Sequence, residues 1–434
     1  MQKRQHDESY VQFSSPDWCK DAVIYQVNTR QFSDQGTFEA VQSHLPRLKK
    51  LGIDILWLMP IHPIGVKNRK GSLGSPYSVK DYFAVNPDLG DLASLKRLVS
   101  AAHDLGMKVI LDWVANHSAW DNVLVDSHPE WYARDQDGNF TPTPWWDWDD
   151  IIDFDYRHFG LREYMLKAMC YWVEQADIDG YRCDVAGFVP NDFWRSVRQQ
   201  LTQIKPIFML AEWESKDLHQ HAFDMTYAWS WNEIMHNIAM QKGGLNKLFK
   251  YYSWNQKNYP KQAHRMTFVS NHDKNAWDGT QFEQFSDCLP PAIVLSVLGE
   301  GMPLIYNGQE AGSRKRLAFF DKDCIEWQEH EIGELYRRLI KLKKSHSALH
   351  NAHWGATMLK VVNNCPESVF SFIRQDTNSK VFVVLNLSAR PQSVTFNSTL
   401  LSGQFMSVFD DTDSELNSEL TVNLAPWDYK VYVS

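Results

Sequence analysis

The chain has 434 residues, 44% of them apolar and 22% charged, with a formal net charge of −9. That length fits one large domain plus a smaller module, because a barrel of strands and helices takes about 250 residues. The acidic balance disfavours a nucleic-acid partner, which calls for a basic patch, and no window carries the long apolar stretch of a membrane span.

Met1-Gln-Lys-Arg-Gln-His-Asp-Glu lacks the apolar run of a signal peptide. Cys19, Cys170, Cys183, Cys288, Cys324 and Cys365 lie far apart without metal-like or redox spacing, so they read as free thiols of a reducing compartment. The expectation is a cytoplasmic protein, monomeric or weakly homodimeric, without nucleic acid or membrane as partner; a mature secreted form is the alternative.

From Val23 to about Leu349, short β-rich apolar runs alternate with amphipathic helical patterns, the signature of βα units and a parallel sheet. Residues 23–27 predict strand one, and residues 38–51 predict a helix with Val41, Leu45 and Leu48 at helical spacing. Residues 53–58 give strand two, and residues 92–105 its helix, closed by Gly106. Strand three starts at residues 108–112, but a polar, aromatic stretch then runs over residues 118–155. Long insertions in a compact alternation are usually functional. Trp145, Trp146 and Trp148 in it either face a ligand or form the insertion's own small core.

A helix over residues 159–175 follows, then strands four to eight at 178–184, 207–212, 223–229, 266–270 and 303–306, and a last helix over 332–349. Afterwards the period changes to two, at 369–372, 380–385, 420–424 and 429–433, which predicts a small antiparallel β-sandwich packed directly on the barrel. The expected fold is therefore an α/β (β/α)8 barrel in two parts, residues 1–117 and 156–349, with an insertion at 118–155 and a sandwich domain at 350–434.

In such a barrel the site lies at the C-terminal ends of the strands. There the chain reads Asp112-Trp-Val-Ala-Asn-His117, Gly180-Tyr-Arg-Cys-Asp184, Leu210-Ala-Glu-Trp213 and Ser270-Asn-His-Asp273. Arg182 and Asp184 are two apart and share a side, whereas Cys183 has opposite parity and faces the helices. Asp112 and Asn116 share a parity and read as structural. Glu212 ends strand five, and His272 and Asp273 end strand seven.

Taken singly, Asp184 reads as a rim salt bridge with Arg182, Glu212 as a loop acid and Asp273 as a helix cap. Together they suit glycoside hydrolysis, in which one carboxyl protonates the leaving oxygen and a second attacks or stabilises the sugar cation. Arg182 is expected to hold Asp184 ionised, and Glu212, near two other carboxylates, to keep its proton. His117 and His272 can donate hydrogen bonds to a substrate.

These four segments, in this order, resemble the conserved regions of the α-amylase family, glycoside hydrolase family thirteen. Ser75-Pro-Tyr-Ser-Val-Lys-Asp-Tyr82, Ile151-Ile-Asp-Phe-Asp155 and Pro303-Leu-Ile-Tyr-Asn-Gly-Gln-Glu310 match it as well, so the resemblance covers nearly the whole chain. It implies a retaining double displacement on α-1,4-glucosidic bonds of starch-like glucans or maltooligosaccharides. Asp184 would be the nucleophile, Glu212 the general acid/base and Asp273 the transition-state stabiliser. Arg182, His117 and His272 would contact the cleaved glucose, with Tyr77 stacked on it. Sibling specificities (α-glucosidase, cyclomaltodextrinase, α-glucan transglycosylase) are the alternatives, and a non-catalytic sugar-binding barrel a remote one.

Many relatives hold Ca2+ between the Asn116 position, the insertion and a Lys-His pair after the nucleophile. Here that pair is replaced within Ala186-Gly187-Phe188, and the loop Ser33-Asp-Gln-Gly36, where another group of relatives carries calcium, has few oxygen ligands, so the usual calcium sites are incomplete; no metal is assigned, and Ca2+ stays the alternative.

Overall fold

The computed structural model describes residues 10–434 apart from residue 411, so the signal-peptide reading of residues 1–8 lies outside the described residues. Among the described residues, eight parallel strands close into a barrel, each paired with the next and the last with the first. They are β1 Ile24–Val27, β2 Ile55–Leu58, β3 Lys108–Trp113, β4 Gly180–Cys183, β5 Phe208–Ala211, β6 Met225–Tyr227, β7 His264–Thr267 and β8 Met302–Tyr306. Strand residues are almost all buried, as a sheet covered on both faces requires.

Side-chain parity sorts them. Ile24, Ile55, Trp57, Leu210, Met225 and Leu304 fill the barrel interior, whereas Tyr25, Leu56, Val109, Met209 and Cys183 join the larger core beneath the helices. Cys183 thus faces outward, and all six cysteines are unpaired. In the register of β3 with β4, Asp112 lies directly across from Arg182.

Two expected elements differ. The helix over residues 38–51 is two helices, Phe38–Ser43 and Leu45–Leu51, with Pro46 in the first turn of the second. Proline lacks an N–H and its ring clashes with the carbonyl four residues back, so a continuous helix cannot run through it. Strand seven lies earlier than expected, and the chain beyond it turns at Asn271, whose side-chain oxygen accepts from the Lys274 N–H at 2.8 Å. His272 and Asp273 therefore sit at the start of a helical turn that continues as a π-helix over Lys274–Asp278, and they do not end a strand.

The insertion folds around a short antiparallel pair, His117–Ala119 with Ile151–Asp153. Its core uses Trp131, Tyr132, Phe140 and Phe154. Trp145 and Trp146, by contrast, are exposed, and Trp146 stacks on Trp148 at 4.6 Å. The exposure of Trp145 and Trp146 takes both out of the insertion's own core.

Beyond the barrel, a six-stranded antiparallel sheet faces a two-stranded one formed by Gln392–Asn397 and Glu419–Leu424. Ile373, Phe382, Phe396 and Val422 pack between them. The other face of the large sheet lies on the barrel, where Phe370 stacks on Phe249 and Tyr252 at 5.2 and 5.6 Å. Arg374 completes the joint: fully buried, it donates to the carbonyls of Gly299, Leu349, His350 and Ala356. Charged donors contribute about 1.5–3 kcal/mol per hydrogen bond, so one side chain ties the sheet to several barrel segments.

Candidate active site

The mouth of the barrel is organised by one buried cation. The β4 residue Arg182 points inward and donates through Nη1 to Asp112 Oδ1 at 2.8 Å and to Asp184 Oδ1 at 2.7 Å. Its Nη2 forms an ion pair with Glu212 Oε2 at 3.0 Å, and its Nε donates to the Tyr227 hydroxyl. The rings of Trp57 and Tyr77 lie 5.1 and 5.5 Å from the guanidinium carbon. A planar fork of donors suits this bridging of several carboxylates, and a lysine could not reproduce it.

Backbone geometry fixes the acids. The Asp184 N–H donates to the Trp113 carbonyl and that of Glu212 to the Cys183 carbonyl, so both residues continue the barrel ladder one step beyond their strands. Glu212 Oε2 also accepts from the Val185 N–H at 2.7 Å.

Burial pushes the Glu212 carboxyl up to about 8; Arg182 opposes the rise, and the charges of Asp184 and Asp273 add to it. Burial raises Asp184 to about 6, against Arg182 and with help from Asp112. The expected order of proton affinity therefore holds, with a different leading cause: desolvation, more than neighbouring carboxylates, keeps the proton on Glu212. Asp184 also titrates higher than an arginine partner alone would give, because burial, and then the charges of Asp112 and Asp273, oppose the guanidinium.

The polar wall opposite is a relay. Tyr77 donates to Asp112 Oδ2 at 3.0 Å, and its oxygen lies 2.8 Å from His272 Nε2. Gln26 Nε2 meets His272 Nδ1 at 2.7 Å. Since the amide can only donate there, Nδ1 is the accepting nitrogen and Nε2 carries the hydrogen, aimed at the Tyr77 oxygen with Asp273 Oδ1 3.4 Å away. Burial lowers His272 to about 4, which keeps this neutral tautomer. His117, also lowered to about 4 by burial, places Nε2 3.8 Å from Asp184 Oδ2.

Asp184, Glu212, Asp273, Tyr77, His117, Arg182 and His272 are thus brought to one cleft. Sequence reasoning passed over Gln26, Trp57 and Tyr227, although each is polar-tipped at an inward position of an apolar strand, and that was a readable signal. Phe319 was missed without any such signal: it stacks on Tyr77 and His272, each at 6.3 Å, from the loop after β8.

The residues where relatives hold calcium do not fit that ion. Asn116 turns its amide nitrogen to Asp153 Oδ1 at 3.1 Å, and the Thr143 hydroxyl donates to the same oxygen at 2.5 Å. The Ala186 carbonyl is taken by the Trp194 indole N–H. In the loop after β1, the Lys322 ammonium donates to the carbonyls of Arg30 and Ser33 at 2.6 and 3.0 Å, so a fixed side-chain cation sits among the loop's oxygens. Calcium wants six to eight oxygen ligands. Incubation with a strong chelator is expected to leave the thermal midpoint and activity unchanged; a fall that added calcium reverses would contradict this.

A closed parallel barrel carrying three carboxylates and a bridging arginine at its C-terminal mouth is the arrangement of a glycoside hydrolase. Residues 25–338 match the family described as Alpha amylase, catalytic domain, and residues 359–431 the one described as Maltogenic Amylase, C-terminal domain. The chain belongs to the α-amylase family of glycoside hydrolases.

Its fold is similar to that of the noncanonic maltogenic α-amylase AmyB from Thermotoga neapolitana, with a TM-score of 0.86 and 34% identity over 95% of this chain and 99% of that one. The α-amylase MalA of Haloarcula japonica is 27% identical over 96% of this chain, which spans 63% of MalA's length. A cyclomaltodextrinase from Bacillus sp is 26% identical over 86% of this chain and 74% of its own.

Proposed function

We propose that the chain hydrolyses α-1,4-glucosidic bonds of starch-like glucans or maltooligosaccharides with retention of the anomeric configuration. The observation that carries this reading is the single Arg182 guanidinium that binds Asp184 on one nitrogen and Glu212 on the other. That bridge holds a nucleophile and an acid at one guanidinium, as a pair of carboxyls acting on one glycosidic bond requires.

Ionised Asp184 attacks the anomeric carbon while protonated Glu212 gives its proton to the departing oxygen, leaving a glucosyl ester on Asp184. Glu212, now a carboxylate, takes a proton from water, which opens the ester and restores both groups. Asp273, with Arg182, His117 and His272, holds the hydroxyls of the reacting glucose, and Tyr77 provides a flat surface beneath it. Residues 118–155 act as the inserted domain and residues 350–434 as the C-terminal module.

A second reading, action on cyclic maltodextrins with short products, is favoured by the match of residues 359–431 to the maltogenic C-terminal domain. The unpaired thiols support a cytoplasmic site, with a monomer or weak homodimer as the working unit. No helix among the described residues is long and apolar enough to cross a membrane.

Following starch, maltooligosaccharide and cyclodextrin digestion by NMR from the first minutes tests the reading. Initial α-anomers are expected. Initial β-anomers would exclude the double displacement, and no turnover of any of the three substrates would exclude the reading itself.

A further inference from the structure

The loop after β8 is held in place at nearly every residue of its 318–323 stretch. Arg30 donates to the Phe319 carbonyl at 2.6 Å and Gln31 to those of Ala318 and Asp321 at 2.5 and 2.8 Å, while the Asp323 N–H returns a bond to Gln31. The N–H groups of Leu73 and Gly74 donate to the Phe320 carbonyl at 3.0 and 3.1 Å, and Ser72 N–H to Asp321 Oδ1 at 2.7 Å. Lys70, from the same loop after β2, pairs with Asp149 of the insertion at 2.8 Å. Four separate segments of the chain are therefore braced into one wall, and a braced wall presents its side chains with little entropy left to lose on binding.

What this wall presents is Phe319. Its ring is half-buried, nearly parallel to Tyr77 at 14° and to His272 at 27°, and Trp277, 55% exposed, packs beside it at 5.2 Å. Chemistry gives the direction. The acid must stand on the side of the departing oxygen, so the leaving part of the chain extends past Glu212, where Trp213 and Phe188 lie together at 5.1 Å. The part of the glucan that stays on the nucleophile extends the other way, past Tyr77 and His272, and there it meets Phe319.

We propose that Phe319, backed by Trp277 and fixed by the braced loop, is a specificity-determining platform for the glucose next to the cleaved one on its non-reducing side. The apolar face of a pyranose stacks on an aromatic ring, and a rigid ring loses little on binding. This inference rests on the proposed glycosidase reading and fixes which neighbouring sugar the site prefers.

The test compares kcat/KM for p-nitrophenyl α-maltoside and p-nitrophenyl α-glucoside, which place two glucose units or one on that side of the cleaved bond. The ratio of the two is expected to fall about tenfold in Phe319→Ala, mainly through KM, on the scale of one lost ring contact. Phe319→Tyr should restore it, and this second variant separates loss of the ring from loss of the fold. A ratio unchanged in Phe319→Ala, or no preference for the maltoside in the wild type while the glucoside is turned over, would overturn the platform and leave the glycosidase reading intact. Failure of the wild type on both, together with maltooligosaccharides, would overturn that reading and the platform with it.

Discussion

Asp184→Asn is expected to lower kcat on maltooligosaccharides by about 10⁴-fold or more, the scale of losing a nucleophile from a site whose other parts remain. The amide keeps the carboxylate's shape but cannot attack. Asp112 still accepts from Arg182 Nη1 in the variant, and Glu212 still lies 3.0 Å from Nη2, so the buried guanidinium keeps an acidic neighbour at both nitrogens. A buried negative charge beside Arg182 is removed, and with it the charge of Asp184 that raises the proton affinity of Glu212. The fold should therefore be as stable as the wild type or more so, in line with the cost active sites impose on stability. Steady-state kinetics beside a thermal melt decides: full activity removes the nucleophile assignment, and a lost melting transition would show that Asp184 is needed for folding.

Glu212→Gln should cost about 10²–10⁴-fold in kcat/KM on maltooligosaccharides, the range of general acid catalysis. On α-glucosyl fluoride, whose leaving group needs far less proton assistance, the bond-breaking step should be much less impaired. The pH profile carries the same assignment. Activity needs Asp184 ionised, hence pH above about 6, and Glu212 protonated, hence pH below about 8. The wild type should give a bell centred near neutrality, its limbs belonging to the coupled cluster around Arg182 more than to either residue alone. In Glu212→Gln the alkaline limb should vanish. An unchanged alkaline limb, or equal losses on both substrates, would assign the acid elsewhere.

How far the sequence could be read depended on how local the determining interaction is. On β3, β4 and β5 the acids and Arg182 could be placed because a period-two pattern and an apolar run share one short stretch. On β7 the same rule failed. Phe268 and Val269 prolong the apolar run, but the turn at Asn271 takes the chain out of the sheet, so Asp273 is aimed by helical backbone and not by strand parity. Pro46 was a visible helix breaker that the spacing of Val41, Leu45 and Leu48 masked. In the C-terminal module, the strand Gly403–Ser407 and its partner Thr412–Leu416 were not anticipated. They lie at one end of the large sheet, and among their described side chains Phe405, Ser407 and Leu416 are buried while the rest are exposed, so they offer few apolar positions for a period-two pattern.

The sequence by itself determined the barrel, the family and the chemical types that meet at its mouth, since parity and strand ends are properties of neighbouring residues. Tertiary structure decided the rest. That Arg182 is shared among Asp112, Asp184 and Glu212, that burial sets Glu212 above Asp184 in proton affinity, and that Phe319 stands beside Tyr77 all depend on segments far apart in the chain. Desolvation and long-range contact exist only once those segments have closed around one another, so no local pattern could record them.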